Sequence, residues 1–457
     1  MNKNYNPHDE TINYLENYRG QFHFSPKSGW MNDINGLVYH NGKYHMIYQW
    51  GKEIRHGGYA TSKDLLHWQD QGVALIPQKS FLPYDAIRNV SGHQVFSGSA
   101  VVVSGKRANT ITGNPKPAIV AIYTGEGIGT CLAWSNDNGI SWHNYPNNPV
   151  ANITDKDYPR DPCVFWHQIT SRWVMAIYEN GTSFYSSEDL IHWKFLSNLE
   201  FGYECPDIYQ LPLNGNKNKM KWVLQDACGA YLIGEFDAGY FKIDDGQTVH
   251  KMDSGPDFYA AQTFPYGNLP NNDKRIIQIA WMDNWNGGVG EEIWERNATF
   301  PVSLGLTLIN GQKRITRNPL KEIRSLYVNS INYENQILRP NMNILSKIKS
   351  KQFELFAEFD LANVQTGKFG FRIANKNIEY DIANHTLLSQ KIITKDKNNL
   401  KVRILVDWGQ LEVFANNGIF SYSQQFGFTP AGNDLEIYTD IPIKLLSLEF
   451  HELKRIW

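Results

Sequence analysis

Three carboxylates in this sequence stand where short turn-rich segments run into apolar, β-type runs. Asp33 lies in Trp30-Met31-Asn32-Asp33-Ile34-Asn35-Gly36, Asp161 in Tyr158-Pro159-Arg160-Asp161-Pro162, and Glu204 in Tyr203-Glu204-Cys205-Pro206-Asp207. Alone, an Asn-Asp-x-Asn-Gly string reads as a turn, because Asn and Asp bond their own backbone and Gly supplies positive φ. Recurrence of an acid in matching context favours chemistry. Two carboxylates flanking a sugar are what glycoside cleavage requires: one protonates the leaving oxygen, and the other attacks the anomeric carbon or activates water. Crowded carboxylates cannot all ionise easily in a desolvated site. Glu204, among Tyr203, Cys205 and Pro206, is expected to stay protonated. Arg160 is expected to keep the neighbouring Asp161 ionised, suited to gripping sugar hydroxyls and stabilising positive charge.

These acids need a scaffold that brings them together. Asp33 is followed by alternating apolar residues (Leu37, Tyr39; Tyr44, Met46, Tyr48), which predicts a loop delivering it to the first strand of a hairpin. From Trp30 to about Leu308 short β-type runs alternate with Gly, Asn, Asp and Pro clusters. Five strongly apolar runs begin at Tyr44, Ala118, Trp173, Trp222 and Ile276, about 50 to 75 residues apart. Such spacing predicts a five-bladed β-propeller. A second echo, SKDLLHW from Ser62, SNDNGISW from Ser135 and SEDLIHW from Ser187, reads as one turn recurring in register. The first strand of each blade lines the central channel, so acids just ahead of it in the first, third and fourth blades converge on one end of the axis. Near Arg317-Asn318-Pro319 the pattern changes, and NPLKEIRSLYV predicts a short helix with Pro in its first turn. Beyond it, Phe353, Leu355, Ala357, Phe359 and Leu361 alternate on one face, and VRILVDWGQLEVFANNG predicts two strands about Trp408-Gly409, together indicating a β-sandwich. The fold class is all-β: propeller over 1–310, linker with a short helix over 311–335, and sandwich over 336–457, the last a supporting or ancillary sugar-binding module.

Composition narrows the partners. A net charge of −2 over 457 residues advertises neither nucleic acid nor an anionic membrane surface. Aromatic residues at 13%, with 14 Trp and 24 Tyr, suit stacking on sugar rings as well as β cores. Cys131, Cys163, Cys205 and Cys228 show no C-x-x-C pairing, arguing for scattered reduced thiols rather than a zinc site. The N-terminal stretch has no apolar core of signal-peptide length and no segment approaches a membrane span, so a cytoplasmic enzyme is expected, or a secreted one if a leader was removed.

WMNDING, RDP and YECPD, in this order, resemble the three acidic motifs of glycoside hydrolase family 32, the β-fructofuranosidases that include invertases, levanases and exo-inulinases. QVFSGSA, DFYAAQTF, WMDNW and LVDWGQLEVFANNG are similar to further landmarks of that family, and the resemblance runs almost end to end. It implies a five-bladed propeller followed by a β-sandwich, and a retaining mechanism. In it Asp33 is the nucleophile, Glu204 the acid/base and Asp161 the transition-state stabiliser. It also implies that Asn32, Gln49, Ser97 and Arg160 bind the terminal fructose, that Phe96 with Trp281 or Trp285 forms an apolar wall, and that no metal or organic cofactor is needed. Three departures stand out. Ile34 replaces a usual Pro. The stretch after Trp50 is about five residues shorter than usual and lacks a Trp-bearing wall, for which Trp50 substitutes in part. Val302 stands where Arg is common, and Glu291, Glu292 and Glu295 make an acidic rim that disfavours sucrose 6-phosphate.

The expected activity is release of terminal fructose from levan-type or inulin-type fructans, fructo-oligosaccharides or sucrose, the partner being an oligo- or polysaccharide with β-linked fructose. The runner-up is a fructosyltransferase on the same scaffold, giving longer oligosaccharides or a cyclic difructose. A non-catalytic fructan-binding propeller and an inverting arabinose- or xylose-directed glycosidase are further alternatives.

Overall fold

A computed structural model of the chain describes residues 11–77, 94–152, 159–283, 293–374, 376–394, 396, 398–426 and 435–457. Up to Pro319 the strands form five sheets whose first strands are Gly29–His40, Val95–Val103, Arg160–His167, Asp207–Pro212 and Tyr259–Thr263, antiparallel except where Trp294–Glu295 pairs in parallel with the first of these strands. These first strands pack on one another around an axis: the first against the second and the fifth, the second against the third, and the fourth against the fifth. The third and fourth are joined by the Cys163 thiol, which donates to Asp207 Oδ1 at 3.3 Å. This is a five-bladed β-propeller. The five apolar runs are the second strands of the blades (Lys43–Trp50, Ala118–Gly125, Arg172–Tyr178, Met220–Gln225, Ile276–Met282). Each is flanked by strands on both edges and almost wholly buried, so the runs read as continuous rather than alternating. The Ser-x-Asp echo is a turn between third and fourth strands. In the first blade Ser62 Oγ accepts from the Asp64 and Leu65 amides and Asp64 Oδ1 from those of Leu66 and His67, and Ser187 and Asp189 repeat this in the third.

The innermost strands depart from regular pairing at one end. Register shifts fall between Met31 and Ile34, Val95 and Gly98, Arg160 and Cys163, and Tyr259 and Gln262. Each is a bulge that re-aims the side chains within it. Asp33 therefore lies inside the first strand, in a bulge, rather than in a loop ahead of it.

The expected linker over 311–335 is mostly sheet. Gln312–Pro319 pairs with Val302–Ile309 as the outer strand of the fifth blade, and Tyr327–Leu338 is an edge strand of the sandwich. Between them lies only a 3-10 helix, Lys321–Leu326, preceded by Leu320, so Pro319 ends a strand instead of opening a helix. The sandwich stacks a six-stranded on a five-stranded antiparallel sheet, and the alternating Phe353, Leu355, Ala357 and Phe359 are buried in its core. Asn399–Asp407 and Gln410–Ala415 form the hairpin about Trp408-Gly409. Two charged networks fasten sandwich to propeller. Asp407 accepts from the backbone amides of Gln21, Phe22 and His23 at 2.7 to 2.8 Å, and Glu412 accepts from the Phe300 amide at 3.0 Å. Buried Arg317 pairs with Asp253 at 2.6 Å and donates to Ser421 Oγ at 2.9 Å. Among the described residues no helix is long and apolar enough to cross a membrane.

Candidate active site

Two bulges and a turn gather the three acids at one mouth of the central channel. Asp33 contributes from the first blade and Asp161, with φ 62°, from the third. Glu204 and Cys205, with φ of 53° and 39°, form the turn ahead of the fourth blade's first strand. Non-glycine residues reach this left-handed region only when their surroundings hold them there.

Asp33 Oδ2 accepts from Ser97 Oγ at 2.8 Å, Gln49 Nε2 at 3.4 Å and the Cys205 thiol at 3.5 Å, while Gln49 Nε2 also donates to Ser97 Oγ at 2.7 Å. Asp33 Oδ1 and Asn32 Oδ1 are buried and accept no hydrogen bond among the described residues. Burial pushes the Asp33 carboxyl up to about 6; Ser97 and Cys205 oppose this with hydrogen bonds, and the Glu204 charge adds to it. The Asp161 amide donates to Thr124 Oγ1 at 2.8 Å and its Oδ2 accepts from the Cys205 amide at 3.2 Å. Burial, then the charges of Asp33 and Glu204, push its carboxyl up to about 7 against the pull of Arg160.

Arg160 does not hold Asp161 as expected. Arg160 turns from Asp161, 3.9 Å away, to Glu204, whose Oε1 accepts from its Nε at 3.1 Å and Nη2 at 2.9 Å. Glu204 Oε2 accepts from the Tyr259 hydroxyl at 2.5 Å. Adjacency in sequence misleads here because the bulge points successive side chains apart, and burial drives the Asp161 carboxyl towards protonation.

Of the expected binding residues, Asn32, Gln49, Ser97 and Arg160 surround the acids, and half-buried Phe96 shares the second-blade bulge with Ser97. Two do not take the expected place. Trp281 is fully buried behind the site, edge-on to Trp30 at 6.1 Å and to Tyr259 at 6.2 Å, so it backs the wall instead of forming it. Trp50 is packed away, its Nε1 donating to Ser28 O at 2.8 Å and its indole lying where a Cβ on Gly29 (φ +80°) would meet it at 2.9 Å. Arg55 occupies the shortened loop, its guanidinium 4.1 Å from the Trp30 ring centroid and donating to Gly51 O at 2.6 Å. Trp285, Glu291 and Glu292 lie outside the described residues, and Glu295 is 3.3 Å from the Lys52 ammonium. Cys205, Tyr259 and Thr124 are contacts that the sequence reading passed over, though Cys205 and Tyr259 stand inside the motifs YECPD and DFYAAQTF.

A cluster of three acids at a propeller mouth limits the family. The model of the glycosyl hydrolases family 32 N-terminal domain matches residues 23–319, and that of the family's C-terminal domain matches 322–451. The chain belongs to glycosyl hydrolase family 32. Levanase of Bacillus subtilis is 32% identical over 97% of this chain and 72% of its own length. The fructan beta-fructosidase of Streptococcus mutans is 29% identical over 98% of this chain but only 34% of its own length, so this chain spans about a third of that protein. Among solved structures, the exo-inulinase of Aspergillus awamori superposes with a TM-score of 0.83 at 26% identity, covering 97% of this chain and all of that one. Family 32 membership accounts for the propeller, the sandwich and the order of the acidic motifs together.

Proposed function

We propose that this chain is a retaining β-fructofuranosidase that releases terminal fructose from fructans, fructo-oligosaccharides or sucrose through a covalent fructosyl-enzyme. Family membership and the names of its relatives, levanase, fructan beta-fructosidase and exo-inulinase, support a fructosidase glycosidase. The observation that carries the mechanism is the contrast between the two oxygens of Asp33. Oδ2 is fixed by Ser97, Gln49 and Cys205, and Oδ1 has no partner among the described residues, leaving one oriented oxygen to attack the anomeric carbon.

Glu204 takes the acid/base role in this reading. Its side chain is 24% exposed against 4% for Asp161, so it can exchange protons with a leaving oxygen and with water. Burial first, then the charges of Asp33 and Glu204, raise the Asp161 carboxyl to about 7; positive charge developing on the fructosyl ring favours its carboxylate, which is when a stabiliser is needed.

The anomeric configuration of the first product, followed by NMR with sucrose, inulin and levan as separate substrates, tests this. Retention with free fructose as product is expected, together with loss of at least about four orders of magnitude in kcat in Asp33→Ala. Net inversion would exclude the covalent intermediate.

A further inference from the structure

The proton donor of a glycosidase faces the leaving group, so the open side of Glu204 marks where the departing sugar lies, provided the fructosidase reading holds. Two tyrosines stand beside Glu204 and the Arg160 that holds it. Tyr203, next to Glu204 in the chain, is 50% exposed, and its ring stands edge-on to Tyr178 at 5.4 Å and 71°. Arg160 lies against both, 4.4 Å from the Tyr178 centroid and 5.7 Å from that of Tyr203, while it holds Glu204. Tyr203 is not a loose surface side chain. Its amide donates to the buried Asp226 carboxylate, and its carbonyl, like that of Glu204, accepts from the Ala227 amide, at 3.2 and 3.1 Å. A half-exposed ring on a backbone fixed at three points loses little freedom when a ligand covers it.

We propose that Tyr203, backed by Tyr178, is the platform on which the sugar leaving from, or later accepting, the fructosyl group is stacked. Its ligand is the apolar face of a neutral pyranose or furanose ring: glucose from sucrose, or the next fructose of a fructan. An aromatic face discriminates weakly between the two, which fits an enzyme acting on either. The Arg160 guanidinium is then shared by the acid/base and the two rings, so a sugar seated on Tyr203 also orients the proton donor.

The test compares substrates that share the fructosyl group but differ in whether a ring departs. For the full chain and its Tyr203→Ala and Tyr203→Phe variants, kcat/KM is measured on sucrose and on methyl β-D-fructofuranoside, whose leaving group is methanol. The expected result is an approximately tenfold fall in the sucrose-to-methyl-fructoside ratio for Tyr203→Ala, with Tyr203→Phe within about twofold of wild type. A ratio that stays constant in Tyr203→Ala overturns the proposal, including when both efficiencies fall together, since that would mark a structural role. A wild-type chain that cleaves neither substrate would refute the fructosidase reading and this proposal with it.

Discussion

Replacing His23 by Gln removes a proton that the fold holds between its two domains. The imidazole is fully buried, with Nδ1 2.9 Å from Asp407 Oδ2 and Nε2 2.9 Å from Glu412 Oε2. Burial alone would lower its pKa; the hydrogen bonds and charges of Asp407 and Glu412 outweigh that and push it up to about 9. An unfolded imidazole titrates near 6.5, so the difference of about 2.5 at about 1.36 kcal/mol each gives on the order of 3 kcal/mol. The folded-state value is the higher one. The stabilisation is therefore complete below about pH 6.5 and is lost as pH rises through about 9. A His23→Gln variant carries no such proton and leaves two buried carboxylates facing an amide, so it is the less stable protein at pH 6. Urea unfolding of both proteins at pH 6 and pH 9.5 measures the effect as a difference, so other titrating groups cancel. The stability gap is expected to narrow by on the order of 3 kcal/mol at the higher pH. A gap that stays constant or widens would refute a proton shared by these carboxylates.

The pKa of Asp33 sets an acid limb. The kcat/KM profile is expected to fall below about pH 6, as the nucleophile gains a proton, and a limb below about pH 5 would assign it to another group. Tyr259→Phe deletes the 2.5 Å hydrogen bond to Glu204; leaving a part-buried acceptor unpaired costs about 1–3 kcal/mol, so kcat/KM should drop roughly 5- to 150-fold at near-constant thermal midpoint. Steady-state kinetics showing less than a threefold loss would leave that hydroxyl without a catalytic part. Gly98→Ala places a Cβ 2.0 Å from Ile122 O and 2.5 Å from Tyr123 Cα, both backbone atoms that cannot yield. The second-blade bulge carrying Ser97 must shift, and urea unfolding and sucrose assays should show stability and activity falling together.

The repeat was legible because second strands are flanked on both edges and mostly apolar: AIVAIYTG is buried along its whole length. The three acids were legible because their surrounding motifs are turn-like and recur ahead of such strands. What could not be read was direction. RDP places Arg160 beside Asp161, yet the positive φ of Asp161 sends the two side chains apart and gives the guanidinium to Glu204. Trp50 and Trp281 illustrate the same limit, since an indole near the site in sequence packs behind it when a neighbouring Gly29 or Tyr259 offers a fitting surface. The supposed linker over 311–335 was misread because strand and 3-10 helix adjoin there with no flexible segment between them.

The site is made from interruptions of the β ladder. A regular inner strand would send alternate side chains to its two sheet faces, and none along the channel towards a ligand at its mouth. The shifts at Asp33, Ser97, Asp161 and Ala260, and the left-handed turn at Glu204 and Cys205, solve this by aiming chosen residues along the axis. Both the strain and the burial of like charges oppose folding. Because the folded-state pKa values of Asp33 and Asp161 are raised, stability falls as pH rises from about 4 through about 7 and these carboxyls ionise in place. The outer strands compensate: Arg172–Tyr178 pairs with Thr182–Ser187, and Met220–Gln225 with Ala230–Phe236, without a single register shift. Chemistry is thus confined to one end of the innermost strands, while the second and third strands pair regularly and the Asp407 and Arg317 networks fasten the sandwich to the propeller.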